Sequence, residues 1–560
     1  MAQTTGKKIF LDSLVAHGVD YIFGNPGTTE MPIMDSLIDH PSLRYILALH
    51  EGVAVSAAQY YAQASGKIGV VNLHVGPGLG NGLGMLYNAF EANTPLLITA
   101  GQQDTRLRLR EPLLGHDLVA MAKPLVKWAV QAERAEELPL LMHRALKIAC
   151  DPPAGPVFVS LPLDVMEQTT DAQPLPPSRL YRNSTADPKG ITTAVDLMLG
   201  AKNPVIVCGD GIAHSGAQGE LIALAETLGA TVWFEQLTHH VNFPTNHPNG
   251  RDRMPGEHAA VRKALAEPDV VLLVGGHFFE EVWYDEESPF PETAAIIQVE
   301  AAPDRLAMNF SLDAGLLGDP KTILQALKAE LSQRADEPFR NAVAGRQSRF
   351  AEEKAAEQAK QKGRAEKGWD HVPIAPARLM AELRAGLPDN AVIVNESITA
   401  TMDLKRTLSF SQKGEYYGTR GGGIGQGFPG ALGVQLAHPD QPVIALSGDG
   451  SAMYSIQCLW SAAHHNLPVV FIVLHNRAYR ILKLNMNIYR QRFGIPGERP
   501  YPHMDFADPS LEFVSIAKGL GVEGKQVTQP EEIQSALAEA LSSAKQGKPY
   551  LLEVFTDGRV

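Results

Sequence analysis

Val443-Ile-Ala-Leu-Ser-Gly448-Asp449-Gly450-Ser451 is an apolar run that breaks at two glycines flanking an aspartate, and a second apolar run, Pro468 to Leu474, ends in His475-Asn476. Continuous apolar runs of this length predict strands buried on both faces of a parallel sheet, with a helix between them. The two runs would then deliver Gly448-Asp449-Gly450 and Asn476 to the same sheet edge. Gly448 and Gly450 permit close approach of a diphosphate, and Ser451 opens a helix whose N-terminus favours anions. Asp449 and Asn476 are hard oxygen donors, suited to Mg²⁺ already held by phosphate. The triplet alone reads more readily as a plain turn. The strand-helix-strand frame, with Asn476 at the return point, decides for an anion and metal site.

Working outward, 371–560 contains further strand candidates at Ala391 to Val394 and Tyr550 to Val554. The region 1–185 repeats the pattern, with a helix over Lys8 to His17 and strands at Tyr21 to Phe23, Ile68 to Leu73, Pro95 to Thr99 and Pro156 to Leu161. A Pro-rich passage, Pro174 to Pro188, precedes a middle region, 190–345, with strands at Pro204 to Cys208, Thr231 to Phe234, Val270 to Val274 and Ala294 to Val299. The stretch 346–370, dense in Ala, Glu, Lys and Arg, reads as an exposed helix or connector. The expected fold class is α/β, with three domains of mainly parallel sheet flanked by helices. Gly209-Asp-Gly211 after the first middle strand resembles half of a nucleotide-binding sheet. A lone glycine turn gives no support for FAD, while leaving that cofactor open.

A formal charge of −13 favours solubility and gives no reason to expect nucleic-acid binding. Cys150, Cys208 and Cys458 lie too far apart for a metal-ligand spacing or a disulfide framework, and read as buried thiols. The N-terminus lacks a signal-peptide segment and no run of eighteen apolar residues follows, so no membrane association and a cytoplasmic location are expected.

The elements Phe23-Gly-Asn-Pro-Gly27, His50-Glu51, Asn72-Leu-His74, Gly101-Gln-Gln103, Pro124-Leu-Val-Lys-Trp128 and Gly448-Asp-Gly-Ser451 occur in that order. Over nearly its whole length the chain resembles the thiamine-diphosphate-dependent decarboxylase and acetolactate-synthase-like family, most of all its benzoylformate decarboxylase branch. The resemblance implies thiamine diphosphate and Mg²⁺ as cofactors, a pyrimidine-binding domain in 1–185 and a diphosphate-binding domain in 371–560. It also implies an active site shared between two subunits, hence a homodimer at least and commonly a dimer-of-dimers tetramer. Asp449, Asn476 and the backbone oxygen of Ala478 would hold the metal. Glu51, placed between the apolar segments Tyr45 to His50 and Gly52 to Val55, would contact the pyrimidine N1′ and promote the imino tautomer. Gly423 and Ile424 would support the bent cofactor, with Ser397 beside it. Tyr454 would line the diphosphate region or support the helix.

By the same resemblance His74 would orient a small 2-oxo acid and protonate an enamine, releasing an aldehyde or permitting carboligation. Thr28 takes the place of a substrate-contacting serine, and Asn25, His50, Leu113, Leu114, Arg420 and Leu482 would line the substrate pocket. The branch's second active-site histidine has no counterpart, since Val282 stands near its place. His277, five residues earlier, either reaches the pocket or caps the strand exit. Gly418, Thr419, Arg420 and Asn485 replace apolar or aromatic pocket surface, while Arg420, Arg480 and Lys483 either recognise an added anion or form ion pairs. Acetolactate-synthase-like or acyl-CoA-lyase-like chemistry is the enzymatic alternative, and a non-catalytic cofactor-binding protein a further one. Against the first, Phe23-Gly-Asn-Pro-Gly27 replaces that branch's usual FGYPG, and its AFQE stretch is missing around Arg110 to Gly115.

Overall fold

The apolar runs near the N-terminus form β1 (Tyr21–Gly24), β2 (Arg44–Leu47), β3 (Gly69–Leu73), β4 (Leu96–Gln102), β5 (Trp128–Gln131) and β6 (Val157–Pro162). They make one parallel sheet in the order β2-β1-β3-β4-β6-β5. On one face, Ile22, Val70 and Leu97 join Ile9 and Leu14 of α1 (Gly6–Ala16) in a single core. Side chains alternate along a strand, so Phe23 points the other way and packs on Tyr61 of α2 (Glu51–Ser65), with ring centroids 5.8 Å apart. Helix α3 (Val75–Glu91) packs beside α2. Each of these two helices starts just past the C-terminal end of a strand, which places Glu51 and His74 on one sheet edge.

The computed structural model describes residues 3–280, 282–366 and 368–560. By contacts the chain divides into one unit of Met1–Leu180, Gly368–Leu404 and Gly418–Val560, and a second of Tyr181–Lys367 and Lys405–Tyr417. The second unit is built on β7 (Pro204–Cys208), β8 (Thr231–Phe234), β9 (Gly250–Arg253), β10 (Val270–Val274), β11 (Ala295–Glu300) and β12 (Ala314–Leu317). These strands are parallel in the order β9-β8-β7-β10-β11-β12, the doubly wound arrangement. The expected connector is part of α4 (Glu337–Glu366), which begins earlier than its composition suggested. Nor is it wholly exposed: Arg346 and Phe350 are buried, and the Arg346 guanidinium donates to the carbonyls of Leu228 and Gly229. Lys367, within that expected connector, lies outside the described residues, as do residues 1 and 2.

The C-terminal part of the first unit contributes β13 (Val392–Glu396), β14 (Val443–Gly448), β15 (Val470–His475), β16 (Glu523–Val527) and β17 (Tyr550–Phe555). They are parallel in the order β13-β14-β15-β17-β16, which repeats the N-terminal order once its edge strand β2 is set aside. The three-domain α/β architecture expected from the sequence is present. Helix α5 (Gly427–Ala437) is buried along nearly its whole length and packs on α2. A Cβ at Gly430 would fall 2.7 Å from the Tyr60 ring, and one at Gly433 would collide with the Ala57 carbonyl. The Tyr60 hydroxyl, carried into this contact, donates to Gly418 O at 2.6 Å and so is not left unpaired. Between β14 and β15 run two helices, α6 (Asp449–Met453) and α7 (Cys458–His464), where one was expected. Cys208 and Cys458 are buried and free, as their apolar surroundings implied. No helix among the described residues is long and apolar enough to cross a membrane.

Candidate active site

Glu51 is the first residue of α2 and only 6% exposed. The helix can start there because His50 is extended and its Nδ1 accepts from the Gly52 N–H at 3.0 Å. This places the His50 proton on Nε2 and gives the ring a capping duty. Two amides orient the Glu51 carboxylate: Asn25 Nδ2 donates to Oε1 at 3.3 Å, and Asn81 Nδ2 donates to Oε2 at 3.1 Å. A Cβ at Gly78 would lie 3.3 Å from Glu51 Oε1, so glycine leaves that oxygen room. Tyr45 lies beneath the site. Burial, reinforced by the charges of Glu30 and Glu51, pushes its hydroxyl far above the usual phenol range and keeps it protonated.

His74 caps α3 and is held by a residue that sequence reasoning missed. Glu30 is fully buried and accepts from four groups: His74 Nδ1 at 2.8 Å, Gly101 N at 2.8 Å, Gly27 N at 2.8 Å and Thr29 Oγ1 at 2.7 Å. A carboxylate only accepts, so His74 Nδ1 carries a proton and Nε2 is the ring nitrogen left free of Glu30. Gly27 makes the arrangement possible, because any Cβ there would strike the His74 ring. The available signal was Gly27-Thr-Thr-Glu30, a helix-start pattern in which the fourth residue reaches back to the first N–H. The hydroxyl near His74 Nδ1, at 3.3 Å, belongs to Thr29. Thr28 is exposed.

Glu30→Gln is expected to retain the Gly101 contact while presenting an N–H to His74, which moves the ring proton to Nε2. If His74 transfers protons through Nε2, turnover should fall by about 10²-fold or more and the pH–rate profile should change shape. A profile that merely scales down, unchanged in shape, would assign Glu30 a purely structural role.

The second cluster lies at the C-terminal edge of β14 and β15. Asp449 is buried at the start of α6. Its Oδ2 accepts from Asn476 N at 2.8 Å and Arg477 N at 2.6 Å, and its Oδ1 from Gly450 N at 2.8 Å. Burial pushes the carboxyl above the usual aspartate range, opposed by those N–H donors and by neighbouring His475. Arg477 adopts a left-handed φ of 61°, which turns two successive N–H groups onto one oxygen. Asn476 Oδ1 accepts from Ala478 N at 3.0 Å, and Ala478 O accepts from Arg480 N at 2.9 Å. Behind the turn, fully buried His475 and Glu553 are paired at 2.8 Å and tie β15 to β17.

Asp449, Asn476 and the Ala478 carbonyl could supply an all-oxygen donor set suited to Mg²⁺, since Asp449 Oδ1, Asn476 Oδ1 and Ala478 O each accept one bond and retain a lone pair. A Cβ on Gly448 would meet nothing within 4 Å, so the backbone there faces open space of the kind a diphosphate requires. Ser451 is buried inside α6, whereas Tyr454 is 56% exposed and is not a buried helix support.

Ile424 is half-buried in a loop held from two sides. Asn88 brackets Gly423, donating to its carbonyl and accepting from its N–H, both at 3.0 Å. Glu396 accepts from the N–H groups of Gly425, Gln426 and Gly427 at 2.7, 3.3 and 2.7 Å. Ser397 spends its hydroxyl on Asn395 Oδ1 at 2.7 Å.

Burial pushes the Glu396 carboxyl from 4.5 up to about 7, against the pull of Gly427, Gly425 and Gln426 N–H. Between those values the unfolded chain is ionised while the folded one keeps its proton. The group's stabilisation is therefore complete below pH 4.5 and is lost as pH rises through 7, by about 3 kcal/mol. Denaturant titrations should show that much less decline across this window in Glu396→Gln than in the parent. Parallel declines in the two proteins would refute the assignment.

Other expected pocket positions are open or otherwise engaged. Leu113, Leu114 and Leu482 are 82%, 39% and 44% exposed. Arg420 is buried. Arg480 donates to the Arg559 carbonyl and Lys483 pairs with Asp505, so both already have partners. His277 belongs to the second unit, just past β10, where its N–H and that of Phe278 donate to the Glu235 carboxylate. Among the described residues no hydrogen bond joins Glu51 or His74 to Asp449 or Asn476.

The thiamine pyrophosphate enzyme family matches in three parts: its N-terminal TPP-binding domain over residues 4–121, its central domain over 191–327 and its C-terminal TPP-binding domain over 399–554. A benzoylformate decarboxylase of Pseudomonas aeruginosa is 33% identical over 96% of both chains. A probable acetolactate synthase large subunit of Methanococcus aeolicus is 30% identical over 99% of this chain and 92% of its own. The solved thiamine-diphosphate-dependent 4-hydroxybenzoylformate decarboxylase of Rhodococcus jostii superposes with a TM-score of 0.85, at 31% identity over 99% of each chain. With all three domains matched, the chain belongs to the thiamine-pyrophosphate-dependent enzymes, as a carbon–carbon lyase that uses thiamine diphosphate.

Proposed function

We propose that the protein decarboxylates a small 2-oxo acid and releases the corresponding aldehyde. The observation that carries this reading is the Glu30–His74 pair, in which a buried carboxylate holds Nδ1 of a half-buried imidazole beside the Glu51 edge. When bound, thiamine diphosphate supplies the electron sink for carbon–carbon cleavage. Glu51 shares a proton with its pyrimidine, held in aim by Asn25 and Asn81. His74 Nε2 would accept a hydrogen bond from substrate and, once it has taken up a proton from solvent, deliver that proton to it, while Glu30 prevents the ring from flipping. Asp449, Asn476 and Ala478 O would hold Mg²⁺ and the diphosphate, and Ile424 would support the cofactor.

Supplying the 2-oxo acids as an aromatic, aliphatic, acidic and phosphono panel tests the reading. Carbon dioxide and free aldehyde in equal amounts support it. Carbon dioxide with acyloin or acetolactate and no aldehyde overturns it in favour of the acetolactate-synthase-like alternative.

The catalytic centre is further proposed to pair the Glu51 edge of one copy with the Asp449 edge of another, within a cytoplasmic homodimer or dimer-of-dimers tetramer. Support comes from the absence, among the described residues of one chain, of any hydrogen bond between the two clusters. Mixing Glu51→Gln and Asp449→Ala proteins under subunit exchange should regenerate part of the parent activity. No recovery, with hybrids demonstrated, would count against sharing.

A further inference from the structure

The second unit holds a constellation that thiamine chemistry leaves unused. Asp210 sits immediately before the short helix Gly211–Ser215, which carries His214, and the loop after β8 brings His239 and His240 alongside. The His239 and His240 rings lie 4.2 Å apart, with His214 at 5.9 and 5.5 Å from them. One ligand nitrogen from each of the three lies within 4.8 Å of the others. His239 and His240 are only 2% and 3% exposed, yet among the described residues His239 Nε2 and His240 Nδ1 have no hydrogen-bond partner. Such buried orphans are unfavourable unless something binds them.

The neighbours suit a metal with a taste for imidazole. Asp210 Oδ2 lies 2.6 Å from His239 Nδ1, the carboxylate–histidine contact that leaves Nε2 for a metal. Its Oδ1 is fixed by His240 N and Asn242 Nδ2, at 3.1 and 2.9 Å. His214 is exposed, so an ion has a way in. Lys413, donating to Ala213 O at 3.1 Å, and Lys405, whose charge acts on Asp210, make the surroundings poor for a hard cation held by charge alone.

We propose that His214, His239 and His240 form a binding site for a divalent d-block cation of the zinc class, with Asp210 as its outer carboxylate. Zinc–nitrogen bonds of about 2.0–2.1 Å would require the rings to close in slightly by rotation. The clamp would join the loop after β8 to the helix after β7, across the C-terminal edge of the central sheet. It is a site for borderline-soft ions, unlike the oxygen-lined set at Asp449.

The test uses the full-length protein, stripped by chelator and kept in excess Mg²⁺, then titrated with Co²⁺ as a coloured substitute for Zn²⁺. The expected result is one equivalent of Co²⁺ with the intense visible absorption of low-coordinate nitrogen ligation, displaced by Zn²⁺. His214→Ala, on the exposed side of the cluster, should weaken binding at least about tenfold, and Asp210→Asn by about 10–100-fold. Asp449→Asn should leave the titration unchanged. Absence of the absorption, or equal affinity in parent and His214→Ala, would overturn the proposal, as would loss in Asp449→Asn alone.

Discussion

Glu51→Gln is expected to lower turnover by about 10²- to 10⁴-fold while leaving the fold and cofactor retention nearly intact. The side chain is buried and enclosed, with Gly78 and Gly82 close by, so only a replacement of the same shape tests chemistry rather than packing. Glutamine meets that condition but cannot pass a proton to a ring nitrogen. It also turns an N–H toward either Asn25 or Asn81, which both now donate to the carboxylate, so one of those bonds is lost. A loss of that size is about 1 kcal/mol and would not unfold the domain. The direct readout is hydrogen–deuterium exchange at the thiazolium C2 of added thiamine diphosphate, which should slow in parallel with turnover. Turnover near the parent's, with cofactor bound, would remove Glu51 from its assigned role.

Asp449→Ala is expected to damage stability and cofactor binding together. Its carboxylate accepts the N–H groups of Gly450, Asn476 and Arg477, and removal leaves three donors in a buried turn without their acceptor. The folded state should lose about 3 kcal/mol, partly recovered in Asp449→Asn, which keeps an acceptor oxygen. If Asp449 is also a metal ligand, affinity for the Mg²⁺–thiamine diphosphate pair should fall by about 100-fold or more. At a ligand concentration near 100 times the parent's dissociation constant, the parent would gain about 2.7 kcal/mol of stability and the variant about 0.4 kcal/mol or less. Equal stabilisation of both proteins would show that Asp449 only shapes the turn.

The fold was legible in the sequence wherever burial is two-sided. Runs such as Val443 to Leu446 and Val270 to Val274 have only one satisfactory place, the middle of a covered sheet. The distinction between the central strand order and the outer ones was not legible, because periodicity identifies strands without saying which neighbours they choose. In the site, Glu51, Asp449 and Asn476 stood next to helix starts and strand ends, where local pattern carries meaning. Glu30 was missed because its partners His74 and Gly101 lie 44 and 71 residues away. A single position separates exposed Thr28 from buried Thr29, finer than pattern reading resolves. Arg477 gave no hint of a left-handed conformation, since nothing in its type favours one. The exposure of Leu113, Leu114 and Leu482 is likewise a property of loop placement that aliphatic character conceals.

The contact between α2 and α5 leaves no allowance at Gly430 and Gly433, where even a methyl group would meet Tyr60 or the Ala57 carbonyl. The same α2 begins with Glu51 and the same α5 follows the Ile424 loop, so the seam fixes where one chain holds both. For a protein engineer this divides the chain into a chassis and a rim. A library that varies the exposed rim residues Leu113, Leu114 and Leu482 can search for new substrates without disturbing the chassis. One that admits alanine at position 433 will mostly return proteins whose α2–α5 packing is broken.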